Sequence, residues 1–298
     1  MPTPNKGHIQ DAVEVPLPAL TGGEGKHSRP GGTGAARQKL ARKGPGPFAH
    51  KAVRIVFVLV MVIAYAAIAV LVAWAESKSG AYPDGSDTMF YVYRGDFLYR
   101  SIAESGNWYP LLDPQWYNGV ETFRYWSPLS SIMLAGCQCL TGGDPLRGYL
   151  VFVGLLCFFT MLVWLVIGCT HKRPVLGAVM GPLWFFTSNN LFLLFAEGVI
   201  ARSIAVMMLP VFLIQLHDWL KDQHWASLLK MILSFAFLVM CHSGWAGMVA
   251  ITTLVFLLIY ALCNRRRERG SCLAAATTMV LGYAICGIWL FEIGRAHV

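Results

Sequence analysis

Charge is scarce in this chain. Asp, Glu, Lys and Arg together make up 13% of its 298 residues, about half the share of a soluble domain, which is roughly 25%. Acids are the rarer sign, 16 against 24 lysines and arginines. So little charge cannot cover a water-facing surface. With 56% hydrophobic residues and a mean hydropathy of +0.52, several apolar runs near membrane-crossing length indicate a membrane protein. No internal repeat is present, which excludes solenoids and argues against a transporter built from paired halves. Zinc-ligand spacing is also missing. The eight cysteines lie mostly inside or at the ends of apolar runs, where Cys packs as a small hydrophobe. Cys137-Gln138-Cys139 has no further ligands close by in the sequence, as a zinc site would need. Nor does the net charge of +8 point to nucleic acid. The basic residues cluster in the N-terminal tail, at His171-Lys172-Arg173 and from Arg265 to Arg269, between apolar runs, as cytoplasmic loops do.

What the chain does have is a sequence of apolar runs and one aromatic, charged stretch among them. Residues 1–51 are rich in Gly, Pro, Lys and Arg, bury no core and read as a disordered basic tail on the cytoplasmic side. A first span runs from about Ala52 to Trp74. Ala73-Trp74-Ala75 resembles a signal-peptidase site, but the tail before it is too long for a signal peptide and the apolar run exceeds an h-region. Further spans are expected at Tyr149–Cys169, Val175–Phe195, Ser203–Leu220, Ala226–Cys241, Trp245–Cys263 and Cys272–Phe291. The expected fold is an all-α polytopic membrane protein of about seven transmembrane helices over residues 52–291. With the N-terminus inside, both tight basic clusters fall on the cytoplasmic side, and residues 75–148 form an extracytoplasmic loop. Pro128–Leu140 is apolar but short, and a crossing there would put both basic clusters outside. It is therefore expected as an interfacial or re-entrant helix, with Trp116, Tyr117, Tyr125 and Trp126 in the headgroup zone.

The last seven residues, Glu292 to Val298, break off an apolar run without a cap or a turn. They match the in-frame translation of a common sequencing adapter, and the native chain is expected to continue past Phe291.

Within the loop, Met89 to Glu104 reads as a helix. Phe90, Tyr93, Phe97 and Ile102 lie on one face, and Arg94, Arg100 and Glu104 near the other. Ser86 or Asp87 is placed to cap it, and Gly106 and Pro110 to end it. Asp84 and Asp87 can cap a helix, bind a divalent cation or act as a general base on a hydroxyl. Asp96 reads as part of a solvated face. Arg94 and Arg100 suit a lipid phosphate, which guanidinium pairs bidentately; snorkelling toward headgroups is the alternative. Glu197 and Arg202 lie at a membrane boundary, five residues apart and out of register on one helix, which suits different partners; a local ion pair at a loop is the alternative. His242 ends the fifth apolar run on the same outer side. Asp87, Arg94, Glu197, Arg202 and His242 come from separate parts of the sequence, yet the topology gathers them on one side, as chemistry on a lipid phosphate would require.

The order of motifs adds a resemblance. An early Asp is followed by a Tyr-Arg helix, Gly106-x-Trp108-Tyr109-Pro110, Trp116-Tyr117-Asn118-Gly119 and Trp126-Ser127-Pro128-Leu129. Then come Glu197-Gly198, Arg202, Pro210 and Cys241-His242-Ser243. Over residues 52–291 this resembles the bacterial membrane proteins described as 6-pyruvoyl-tetrahydropterin synthase-related, within the wider C-type (GT-C) glycosyltransferase-like superfamily. The resemblance implies a GT-C-like bundle whose first extracytoplasmic loop carries juxtamembrane helices and an acidic catalytic residue. It implies a location in the bacterial inner membrane and an inverting transfer of sugar from a polyprenyl-phosphate carrier to an acceptor outside. Asp87 matches the family's acid, with Asp84 beside it, and Arg94, Glu197, Arg202 and His242 would bind substrate. A strict Asp-x-Asp is absent, so a divalent cation (Mg or Mn) would rest on Asp87. No His-x-His zinc set supports a pterin chemistry. The alternatives are a non-catalytic membrane protein of the same fold, handling envelope polymers or lipids, and a transporter.

Overall fold

Every regular helix or strand among the described residues is helical, as the apolar runs require. The computed structural model describes residues 51–79, 82–116, 119–264, 268–287 and 289–291. The basic tail before Lys51, the 292–298 heptapeptide, Tyr117, Asn118 and Arg265 to Arg267 lie outside the described residues.

Helix α1, Lys51–Glu76, has 26 residues, about 39 Å at 1.5 Å per residue, enough to cross a hydrocarbon layer of about 30 Å. Its outward face is apolar, with Ile63 69% and Val70 68% exposed, as a lipid-facing helix must be. Two short helices follow, α2 (Thr88–Ser105) and the four-residue α3 (Thr122–Tyr125). Asp113 and Val120 pair their backbones between them. Helix α4, Leu129–Leu140, has 12 residues, about 18 Å, too short to cross and in line with the interfacial reading. Helix α5, Pro145–Thr170, begins with the caps its sequence provides: Pro in its first turn, and Asp144 Oδ1 accepting the Leu146 and Arg147 amides at 3.0 Å.

The third expected span is broken. Helix α6, Pro174–Phe185, and the segment Ser188–Ala196 (α7, Ser188–Leu191, and a π turn, Phe192–Ala196) meet at a 47° bend. Thr187 is extended there, and Asn190 Nδ2 donates to the Trp184 carbonyl at 2.6 Å. A side-chain amide thus takes up a carbonyl at the break, the condition for irregular backbone at membrane depth. Helices α8 (Ile200–Asp222), α9 (Trp225–Cys241), α10 (Ser243–Cys263) and α11 (Glu268–Ile285) complete the described chain. Four helices, α1, α5, α8 and α10, are long and apolar enough to cross a membrane, and the bent pair makes a fifth. Helix α9 falls short at 17 residues, about 26 Å.

Small residues bring the helices together, as they do where lipid offers no hydrophobic drive. A Cβ on Gly168 of α5 would lie 2.6 Å from the Gly177 Cα of α6. Tyr65 of α1 donates its hydroxyl to the Ala178 carbonyl at 2.7 Å. Helix α1 runs antiparallel to α5. Arg54 Nη2 donates to the Cys169 carbonyl at 3.4 Å at one end, and at the other Tyr82, just beyond α1, donates to the Leu146 carbonyl. Arg54 and His171-Lys172-Arg173 therefore share one end of the bundle, and the aromatic loop occupies the other.

Candidate functional site

Two turns from distant parts of the chain form the floor of the loop end. The Ser86 amide donates to the Ala196 carbonyl at 3.2 Å, and the Asp87 amide to the Glu197 carbonyl at 2.9 Å. Ser86 Oγ bonds the same Glu197 carbonyl at 2.8 Å. Two glycines permit the approach. Gly85 (φ +101°) and Gly198 (φ +69°) adopt conformations that favour glycine, and a Cβ on Gly85 would sit 2.6 Å from the Gly198 Cα. Asp87 and Glu197 are thereby adjacent. Asp87 occupies the N-cap position of α2 but makes no side-chain cap bond, so its exposed carboxylate is not used in capping. Asp84 is half-buried, and its amide donates to Glu76 Oε1 at 3.0 Å.

Helix α2 packs with the opposite face to the one its sequence suggests. Tyr91, Val92, Arg94, Gly95 and Leu98 are buried, and a Cβ on Gly95 would lie 2.7 Å from the Leu134 Cβ of α4. The reading that put Arg94 near the polar face is overturned: the face that carries Gly95, not the aromatic one, meets α4. Arg94 is 1% exposed, and among fully buried side chains it is one of the largest. Three rings enclose its guanidinium carbon: Phe90 at 5.2 Å, Trp126 at 5.3 Å and Phe123 at 5.7 Å. Its Nε and Nη2 have no hydrogen-bond partner among the described residues. Burial lowers its pKa to about 10, against a smaller opposing effect of Tyr91, so at neutral pH the cation persists. Ring faces supply about 0.5–2 kcal/mol each to a desolvated cation but accept no N–H bond. Arg100, the other cation of the loop helix, is taken by Asp96 at 2.9 Å, and Gln138 also bonds Asp96, at 2.7 Å.

The guanidinium faces a cavity of about 80 Å³ that Tyr91, Ser127, His242 and Ser243 also line. One water needs roughly 10–15 Å³ of such space, so a tetrahedral oxyanion fits and a sugar ring does not. Ser127 fixes the arrangement, donating to the Val239 carbonyl at 3.3 Å and accepting the Ser243 amide at 3.4 Å. The α9–α10 corner, where His242 sits, is thus stapled to the α3–α4 connection beside Arg94. His242 Nδ1 accepts the Trp245 amide at 3.0 Å, which leaves Nε2 to carry the ring proton and donate. Burial lowers the His242 pKa, and Arg202 lowers it further. Arg202 also lies 3.7 Å from Glu197. Of the two sequence readings, the local ion pair is the one observed, because Glu197 precedes α8 across the Gly198 turn, off the helix.

The depressed His242 value has a consequence for stability. Its neutral, capping form contributes fully above the unfolded pKa of about 6.5, and the contribution is lost as pH falls through the folded value. Thermal unfolding of the purified protein is expected to weaken below about pH 6.5. His242→Asn, which caps without titrating, is expected to remove that share of the acid loss while keeping the neutral-pH midpoint. An unchanged pH profile in the variant would show that His242 carries none of it.

Phe123, whose ring meets the Arg94 guanidinium, also lines an apolar cleft of about 380 Å³ between Leu98, Ile132, Met240 and Trp289. Trp289 Nε1 donates to the Phe123 carbonyl at 2.9 Å. Sequence reasoning missed the cage residues Phe90 and Phe123 and the staple Ser127. It also missed Glu76, 5% exposed at the end of α1, whose only signal was an acid closing an apolar run. It did notice Trp126, as a headgroup aromatic. Among the described residues no three His, Cys, Asp or Glu side chains gather as they would around a metal ion.

Comparison with protein families places the chain. The family described as "PTPS_related: 6-pyruvoyl-tetrahydropterin synthase related domain; membrane protein" matches residues 123–293. The chain belongs to this family. The family match spans Phe123, Glu197, Arg202 and His242 and begins after Asp84, Asp87 and Arg94. No curated protein and no solved structure matches.

Proposed function

We propose that this family member is a GT-C-type glycosyltransferase-like enzyme that moves a sugar from a polyprenyl-phosphate carrier to an acceptor hydroxyl at the extracytoplasmic face of the bacterial inner membrane. One observation carries the reading: a buried, aromatic-caged guanidinium with unpartnered N–H groups lines a phosphate-sized cavity and packs on Phe123, which also lines an apolar cleft. A phosphate attached to a prenyl chain has the chemistry to fill both. The side is read from charge: Arg54 and the His171-Lys172-Arg173 cluster lie at the other end, and such clusters stay in the cytoplasm.

Arg94 and the His242 Nε2–H hold the carrier phosphate as negative charge grows on it. Asp87, exposed one turn before Tyr91 of the cavity wall, takes the acceptor proton. The acceptor oxygen bonds to the anomeric carbon, the bond from that carbon to the phosphate oxygen breaks, and its electron pair leaves with the carrier. One displacement inverts the anomeric configuration. Glu197 keeps Arg202 near the site. A divalent cation would have Asp87 as a ligand and draw others from the substrate phosphate, as Mg²⁺ commonly does.

Asp87→Asn is expected to lower turnover about 10²–10⁴-fold, the usual contribution of a general base, with carrier binding unchanged. The measurement is sugar transfer and carrier binding by the protein in lipid nanodiscs. Full turnover in the variant refutes the assigned role. A second reading, a non-catalytic carrier-binding protein, draws on the cavity being too small for a sugar ring. It predicts carrier binding with no turnover even in the unaltered protein.

A further inference from the structure

We infer that the opposite end of the bundle holds a second site, for the headgroup of an anionic glycerophospholipid. The inference is independent of the transfer reading. A cavity of about 550 Å³ opens between α5, α8 and α9. Its lining changes character along the helices. On α5 the wall is apolar from Phe159 to Val166 and turns polar at Thr170 and His171. On α8, Val211 and Ile214 give way to Asp218, Lys221 and Asp222. From Phe159 to His171 is about 18 Å along the helix, room for much of an acyl chain below a headgroup. Helix α9 adds Lys230 at the polar mouth. Asp218 lies sixteen positions beyond Arg202 on α8, about 24 Å away along the helix, so this site is not part of the first.

Charge selects the headgroup. His171 Nδ1 lies 2.9 Å from the Ile167 carbonyl, and Nε2 lies 2.9 Å and 3.1 Å from the two Asp218 oxygens. The Thr170 hydroxyl also lies 3.1 Å from Nδ1 but gives its one proton to the Ile167 carbonyl at 2.8 Å, so the ring faces acceptors on both nitrogens, donates from both and is an imidazolium. The bond to Asp218 also raises the His171 pKa. His171 therefore neutralises Asp218, which His217 approaches as well, at 3.2 Å. Lys221 and Lys230 then face Asp222 alone, a surplus of one positive charge at the mouth. One phosphodiester without a compensating ammonium balances it. The apolar wall requires that phosphodiester to belong to a lipid, because a free anion leaves Phe159 and Val166 uncovered.

The test uses the full chain in detergent and reads the thermal midpoint as lipid is titrated in. Dioleoyl-phosphatidylglycerol is expected to raise the midpoint saturably, and dioleoyl-phosphatidylcholine and inorganic phosphate to leave it in place. The Lys221→Gln/Lys230→Gln variant is expected to bind phosphatidylglycerol about 30-fold more weakly, since each such lysine contributes roughly fivefold. Arg94→Met is expected to keep the full lipid response, which separates this site from the carrier site. An equal response to phosphatidylcholine, a full response to inorganic phosphate, or unchanged affinity in the double variant would overturn the inference.

Discussion

Arg94→Met is expected to leave the protein as stable as before, or more so, and to weaken carrier binding about 100-fold. Both halves come from one geometry. A cation sealed from water costs several kcal/mol unless it is paired, and among the described residues Arg94 has three rings around it and no carboxylate in an ion pair. The ring faces return a part of that cost. Methionine fills the same slot, keeps contact with the aromatic rings and carries no charge to desolvate, so the folding change is expected to stay within about 2 kcal/mol. Binding is another matter. Without the guanidinium, a phosphate in the 80 Å³ cavity loses its charge-assisted donors, a loss of about 3 kcal/mol. Arg94→Lys keeps the charge but lacks the planar fork and is expected to fall between. Thermal unfolding and equilibrium binding of a polyprenyl phosphate read the two effects separately. If Arg94 were a structural strut, its methionine variant would unfold early. That outcome, with binding retained per folded molecule, would remove the phosphate from the site.

Gly198→Ala is expected to be among the most damaging single changes at the loop end. The position has φ +69°, and an added Cβ would lie 2.3 Å from Thr88 Oγ1 and 2.7 Å from the Thr88 amide nitrogen. A left-handed alanine costs about 1–2 kcal/mol, and the overpacking about 1–3 kcal/mol more. The two turns have to part. The Asp87–Glu197 and Ser86–Ala196 backbone bonds then open, and Asp87 is no longer held beside Glu197. Stability is expected to fall by about 3 kcal/mol, with faster hydrogen exchange at the Ser86 and Asp87 amides and loss of transfer. Gly85→Ala meets the same contact from the other side, so the double variant is expected to cost less than the sum of the two. Gly136→Ala is the control. Its Cβ would meet nothing within 4 Å, and inside α4 alanine is the better helix former. A midpoint lowered as much by Gly136→Ala as by Gly198→Ala would mean that the turn contact is not what holds the loop.

Much of this was legible beforehand at the level of elements. The helix over Met89 to Glu104 is observed as Thr88–Ser105, and the apolar Pro128–Leu140 is the short Leu129–Leu140. The parts that were not legible are side-chain facts. Phe90 was placed on one face of the loop helix and Arg94 near the other, yet both belong to one cage. Glu197 and Arg202 were kept apart by a helical register that Gly198 ends. The break between Phe185 and Ser188 lies in a run with no charge to mark it, and Asn190 reveals its purpose only once the Trp184 carbonyl is beside it.

By itself the sequence determined that this is a helical membrane protein, the order of its helices and the separation of its basic clusters from its aromatic loop. Scarce charge and long apolar runs suffice for that, because transfer of a helix into lipid depends on composition summed along its length. Only the tertiary structure decided which faces meet. In lipid the outward side of a helix is as apolar as the inward side, so periodicity no longer points to the core. Close approach through Gly85, Gly168, Gly177 and Gly198 then sets the neighbours. That packing, rather than any local pattern, turned Arg94 inward and set it across a small cavity from His242.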